Sequence, residues 1–417
     1  MKVFKFGGAS LKNAENIKNV ISIIRSFHDE KLLIVVSAMG NTTDALENIL
    51  ETEKENKDYS KDLHQLRKYH VEISEALIHG QPVNTLLDNF NLLELELKKD
   101  LAKKVKYDQV VSFGEIISSQ LLFEYAQTQG LNIGWLDARH CIATDDHFGE
   151  GRINWPLTQQ NMQKISELHE RYNIIITQGF IGKAPNGLTT TLGREGSDFT
   201  AAIFASCLNV ESLTVWKDVP GLMNADPKRL PDAIVLKELP YSEAAEMMYY
   251  GANLIHTKTI RPLATKKIPL YVKSFIDPAL PGSKIHECHI DELPTMFVFK
   301  DNQCLVSCKV TDYTFISELH LQGIFALLDR LSIRFNMVQH SAISFSFCFD
   351  FDAEKLKSFL AEMRLTFEVY YNIDLTLITI KNYTPSVFAD YRNRKGILLE
   401  QSSRSTLQVL MKSLEKS

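Results

Sequence analysis

The chain has 417 residues, 45% of them apolar and 23% charged, with a formal net charge of -5, which suggests a soluble protein of two or three domains at roughly 150 residues each. That balance, with no basic stripe, argues against a nucleic-acid partner; no apolar run approaches the ~18 residues of a membrane helix, and Lys5 with two glycines breaks the opening apolar run, so no signal peptide is expected. The six cysteines, Cys141, Cys207, Cys288, Cys304, Cys308 and Cys348, include no Cys-x-x-Cys pair, which favours reduced thiols in the cytoplasm over a disulfide framework or a zinc site.

Val3–Phe6 is read as a short strand entering a Gly-Gly turn, residues 13–27 as a helix, and Leu32–Val36 as a continuous β-rich run buried on both faces. Residues 44–105 are polar and helix-rich. Further buried strands are expected at 174–177, 212–216 and 270–272, each beside a Gly- or Pro-containing loop. This rhythm predicts an α/β domain with a mainly parallel sheet sandwiched by helices. Past Asp291–Pro294 the style changes. Strand 304–310, helix 315–330, strands 333–339 and 342–349, helix 353–363 and strand 367–371 follow in the βαββαβ order of a ferredoxin-like α+β unit. Strand 375–380 and a piece at 396–414 read as part of a second, incomplete copy. The expected domains are 1–294 and 295–417.

Five segments carry chemistry. Lys5-Phe6-Gly7-Gly8 ends a strand with glycines whose N–H groups can approach an anion, beside an ammonium; taken alone, such a segment is usually just a turn. Ser37 to Asp44 follows a buried strand at the end where open α/β sheets bind ligands, and its hydroxyls also suit a helix cap. Glu115, after Ser112-Phe113-Gly114, is placed at a helix start, where the helix dipole favours an acid. Thr189 to Ala202 joins a Thr/Gly loop to a helix N-terminus, an anion site in its own right; Arg194 offers a fork for a carboxylate. Asp198 there is either a cap or the partner that orients Lys5. Lys217-Asp218-Val219-Pro220-Gly221 and Asp226-Pro227-Lys228 are turn chemistry along which a nucleotide can lie.

In order, Lys-Phe-Gly-Gly-x-Ser, Ser37-Ala38 with Thr42-Thr43-Asp44, Ser-Phe-Gly-Glu, Thr-Gln-Gly-Phe-Ile-Gly, Thr-Thr-Thr-Leu-Gly-Arg-x-Gly-Ser-Asp and Asp-Val-Pro-Gly with Asp-Pro-Lys resemble the aspartate kinases of the amino-acid-kinase superfamily. The resemblance covers residues 1 to about 285, and the remainder resembles the ACT regulatory region of that family. It implies transfer of a phosphoryl group from ATP to L-aspartate, the first step towards lysine, threonine and methionine, with Mg²⁺ held through the nucleotide's phosphates and no metal ligand of its own. Lys5 and Asp198 would be catalytic. Lys5, Phe6, Gly7, Gly8, Ser37, Lys217, Asp218, Met223 and Lys228 would meet ATP, and Thr43, Glu115, Arg194 and Ser197 would bind aspartate, Glu115 at the α-ammonium. The family usually has a lysine where this chain has Asn253, at the ATP phosphates; Lys258 or Lys217 is expected to replace its charge. A homodimer or homotetramer through the ACT-like region is implied. The competing readings are a glutamate, acetylglutamate or uridylate kinase, and a catalytically silent amino-acid-sensing subunit.

Overall fold

In the computed structural model, residues 1–78, 83–252, 255–312 and 314–413 are described. They form two compact units: Met1–Leu222 with Val235–Met248 and Asn253–Ile290, and Met223–Ile234 with Tyr249–Ala252 and Asp291–Ser417.

The first unit is built on β1 (Lys2–Phe6), β2 (Leu32–Val36), β3 (Ile133–Leu136) and β4 (Ile174–Gln178), on the hairpin of β5 (Ile181–Lys183) with β6 (Thr189–Thr191), and on β7 (Ser212–Lys217), β8 (Glu238–Pro240), β9 (Leu270–Ser274) and β10 (Ser283–His286). All but the hairpin make one eight-stranded sheet in the order β3-β4-β2-β1-β7-β9-β10-β8. Its pairs are parallel except β9 with β10. Every residue of β2 is buried, as a strand covered on both faces requires. On one face Phe4 and Phe6 pack with Ile17, Val20 and Ile24 of helix Ala14–Arg25 and with Leu121 and Leu122 of helix Lys103–Thr128. Each such burial is worth about 2 kcal/mol. Strand alternation therefore sends Lys5 to the opposite face, where helix Gly196–Leu208 lies, buried through almost its whole circumference. Phe6, Val36, Trp216 and Gln178 are in register. The loops that leave β1, β2, β4 and β7 thus open at one level, at the strands' carboxyl ends.

The second unit carries β11 (Met296–Lys309), β12 (Phe335–His340), β13 (Ser344–Asp350), β14 (Glu368–Lys381), β15 (Ile397–Ser402) and β16 (Thr406–Lys412), an antiparallel sheet in the order β12-β13-β11-β14-β16-β15. The C-terminal part of β11, helix Glu318–Arg330, β12, β13, helix Ala353–Met363 and the start of β14 form the expected ferredoxin-like unit. Two details differ from the sequence reading. Strands 367–371 and 375–380 are one strand, β14, and β11 begins earlier than 304, at Met296. The register shifts between Lys300 and Leu305, and Asn302 and Asp374 take positive φ of 55° and 57°, so polar residues that read as turns are irregularities inside long strands. The second half of β14, helix Pro385–Arg392, β15 and β16 make the expected incomplete second copy, with one helix among the described residues, and Met296–Lys300 supplies its fourth strand. No helix among the described residues is long and apolar enough to cross a membrane.

Candidate active site

Lys5 is the last but one residue of β1, and the chain turns immediately after it. Gly8 cannot be replaced without displacing backbone, since a Cβ there would sit 2.8 Å from the carbonyl oxygens of both Ala38 and Gly40. The turn is therefore pressed against the loop that leaves β2, with Gly40 N–H donating to Gly8 O at 3.0 Å. Ser37 opens that second loop, its N–H on Phe6 O and its own carbonyl accepting from Ser118 Oγ at 2.7 Å. Thr43 lies in the first turn of helix Thr42–Lys54.

Across from these, Glu195 takes a left-handed φ of 55° and starts helix Gly196–Leu208. Its first turn carries Ser197 and Asp198, so Arg194, Ser197 and Asp198 face the glycine turn. Asp198 is fully buried, with Lys5 Nζ 2.6 Å from one oxygen and Lys217 Nζ 3.8 Å from the other. Burial alone would push its carboxyl up. Lys5 and then Lys217 outweigh that, and it lies below the ordinary carboxylate value. Of the two readings of Asp198, cap or partner of Lys5, the geometry selects the partner.

Glu115 corrects the sequence reading. It is not at a helix start but well inside helix Lys103–Thr128. The preceding Gly114 is there for space rather than for a break: a Cβ would come 3.0 Å from Ala38 Cβ and 3.3 Å from Thr42 Cγ2. The helix crosses so close that Glu115 is delivered beside Lys5. Burial pushes its carboxyl up to about 8, against the lowering pull of the Ala38 N–H, Lys5 and Ser197. Ser197 Oγ is 3.5 Å from Oε1, and Oε2 has no hydrogen-bond partner. A buried carboxylate oxygen left without a donor is a vacancy for a cation.

Lys5, Gly8, Ser37, Thr43, Glu115, Arg194, Ser197 and Asp198 line a single cavity of about 680 Å³. Glu47 and Tyr107 line it as well, which sequence reasoning missed. Tyr107 OH donates to Glu47 Oε1 at 2.6 Å, and burial followed by that bond pushes the phenol up. Glu47 follows Thr43 by one helical turn, a spacing that would have put it on the same face.

The other expected residues lie elsewhere. Phe6 belongs to the core, stacked on Trp216 at 5.9 Å; Gly7 caps the turn whose Ser10 N–H and Oγ–H bind its carbonyl. Asp218 is exposed just past β7. Met223 and Lys228 fall in the second compact unit, with Lys228 N–H on Asp226 Oδ1 at 2.9 Å. Asn253 lies outside the described residues. Lys258 is ion-paired with Glu150 and lines a different cavity with Arg152, Trp155 and Arg261.

A glycine turn, a helix N-terminus and the Lys5 ammonium converge on one space, with an arginine fork and a buried acid on its wall. That is the equipment for moving a phosphoryl group onto a small zwitterion. Known proteins agree. The Amino acid kinase family matches residues 1–274. Lysine-sensitive aspartokinase 3 of Escherichia coli (strain K12) is 30% identical over 361 residues, covering 84% of this chain and 78% of that protein. Bifunctional aspartokinase/homoserine dehydrogenase 1 of Arabidopsis thaliana is 31% identical over 382 residues, 85% of this chain but 41% of the relative, so the chain spans well under half of such bifunctional proteins. Among solved structures, E. coli aspartokinase III in complex with aspartate and ADP matches with a TM-score of 0.84 and 26% identity over 99% of this chain and 96% of that one. The complex of the same enzyme with lysine and aspartate gives 0.82 and 25%, with the same coverage of both chains. The chain belongs to the amino acid kinase family and, within it, to the aspartokinases.

Proposed function

We propose that this chain is an aspartate kinase that transfers the γ-phosphoryl group of ATP to the side-chain carboxylate of L-aspartate, giving ADP and 4-phospho-L-aspartate. One observation carries the reading: a vacant buried acid, Glu115, and an arginine fork, Arg194, share a cavity with the Lys5–Asp198 pair. An amino acid with a second carboxylate satisfies all three. Glu115 takes the α-ammonium, Arg194 the α-carboxylate, with Thr43 and Ser197 beside them, and the side-chain carboxylate is left facing Lys5. The E. coli relative's structure is a complex with aspartate and ADP, which supports the same pair here.

The acceptor is already ionised near neutrality, its reference pKa being about 3.9, so no general base is needed. Catalysis reduces to alignment and to neutralising charge on the transferring group. Lys5 supplies that charge, held in place by Asp198, while the Gly8 N–H and the Ser37 hydroxyl, both on the cavity wall, meet phosphate oxygens. Lys217 and Asp218 are assigned to the nucleotide. Among the described residues no three His, Cys, Asp or Glu side chains gather as a cation site; Mg²⁺ fits as an ion carried on the phosphates, where it neutralises their charge.

Lys217, already 3.8 Å from Asp198, takes the second cationic position, rather than Lys258, which is engaged by Glu150. Lys217→Ala is expected to lower kcat at least tenfold and Lys258→Ala to leave the ATP KM within threefold. Steady-state kinetics that reverse this order would reject the assignment.

We further assign residues 1–294 to catalysis and 295–417 to regulation and assembly as a homodimer or homotetramer. Phe315, Leu319 and Leu365, each at least 74% exposed, are apolar surface suited to a second copy. The enzyme is placed in the cytoplasm, where its six free thiols stay reduced. The acceptor is tested by single-substrate kinase assays with aspartate, glutamate, acetylglutamate and UMP. Aspartate is expected to give at least a hundredfold higher kcat/KM than any other, and preference for another acceptor would overturn the reading.

A further inference from the structure

Asp108 is fully buried, yet its hydrogen-bond partners are all neutral donors. Gly149 N–H reaches both carboxylate oxygens at 3.1 and 2.9 Å, Thr191 N–H donates to Oδ2 at 2.9 Å and Thr191 Oγ–H to Oδ1 at 2.7 Å. A buried acid is costly unless its lone pairs are filled. Here they are filled by two segments far apart in sequence, and both lead to the substrate cavity. Gly149 is itself part of the cavity wall. Thr191 ends β6, two residues before Gly193, whose φ of 74° turns the chain into Arg194. The segments also touch each other. Gly151 N–H donates to Thr191 O at 2.7 Å, and a Cβ on Gly193 would sit 3.3 Å from Glu150 Cγ and 3.6 Å from Gly149 O. Asp108 stands two helical turns before Glu115 on the same helix. One rigid element therefore holds the acid that meets the ammonium and ties down the loop that presents the arginine.

We propose that Asp108 is a positioning residue that fixes the distance between Arg194 and Glu115, and so tunes the site to the length of its amino-acid substrate. The inference rests on the aspartate kinase reading. Gln109, next on the helix, holds Thr189 through its O and N–H at 2.8 and 3.2 Å but does not reach Gly149, so it anchors β6 without joining the two segments.

The test is steady-state kinetics of the full chain with aspartate and MgATP. Asp108→Asn and Asp108→Ala are expected to raise the aspartate KM at least tenfold, with the ATP KM within threefold and kcat within fivefold. Thr191→Val, which removes one donor, should raise the aspartate KM three- to tenfold, Thr191→Ser should restore it, and Gln109→Ala should change it less than threefold. A merely structural acid would lower the melting temperature and move both KM values and kcat together; that pattern, or an unchanged aspartate KM, overturns the proposal. If the Asp108 variants do not fold, the Thr191 pair decides: Thr191→Val equal to wild type refutes it. A wild type that phosphorylates no aspartate sinks this inference along with the functional reading, whereas an active wild type with indifferent variants sinks the inference alone.

Discussion

Lys5→Ala is expected to lose at least a thousandfold in kcat while its aspartate KM stays within about threefold. The loss is roughly 4 kcal/mol of transition-state stabilisation, the scale set by removing a preorganised charge from an enclosed site. Lys5 is 7% exposed, and its ammonium lies 2.6 Å from Asp198. Its reach is set by β1 on one side and on the other by the glycine turn that is pressed against the loop leaving β2. Aspartate, by contrast, is assigned in the proposed site to Arg194 and Glu115, which the substitution leaves in place. Breaking a buried ion pair costs about 3–5 kcal/mol when the remaining charge is stranded, but Asp198 keeps Lys217 at 3.8 Å. The variant should therefore fold, which circular dichroism checks, and the loss should be read in ADP release under saturating substrates. A variant that turns over within tenfold of wild type would show that the charge comes from elsewhere.

The second large effect is a pH dependence. Burial holds Glu115 near a value of about 8, so below that pH the free protein carries it mostly protonated. In the proposed site the substrate's α-ammonium binds the ionised form. Raising the pH deprotonates Glu115 and strengthens binding; lowering it makes each bound ammonium displace a proton. The aspartate KM is expected to fall nearly tenfold per unit from pH 6 to about 8 and then level, each unit amounting to about 1.4 kcal/mol. Glu115→Gln should flatten the profile and raise the plateau KM by roughly 10- to 100-fold, the loss of a charge-assisted bond. The ATP KM provides the internal control. A wild-type aspartate KM that is flat across this range, or one that rises with pH, would remove Glu115 from the ammonium site.

Much of this arrangement is readable in the residues. The uninterrupted run Leu32–Val36 announces a doubly covered strand, and the alternation Val3-Phe4-Lys5-Phe6 leaves one cation among apolar neighbours on a strand that ends in glycines. The loop Gly193 to Asp198 shows its chemistry because fork, glycine and acid are consecutive. What is hidden depends on partners distant in the chain. Gly114 reads as a helix boundary until Ala38 is seen pressed against it. Asp108 has no local signature, since its donors lie 41 and 83 residues away. Lys217 and Lys258 are equal as sequence, and only the acids they meet, Asp198 and Glu150, tell them apart. In the second unit, Asn302 and Asp374 imitate turns because a positive φ inside a strand favours the residues that turns use. Helix Pro385–Arg392 is too short for its apolar period to stand out.

The central claim is that this cavity phosphorylates the side-chain carboxylate of aspartate, and an acyl phosphate can be trapped directly. With ATP, Mg²⁺, L-aspartate and hydroxylamine, the wild-type chain should yield aspartyl hydroxamate in step with ADP, and Lys5→Ala should yield none above background. ADP release without hydroxamate, or no turnover by the wild type at all, would contradict the account.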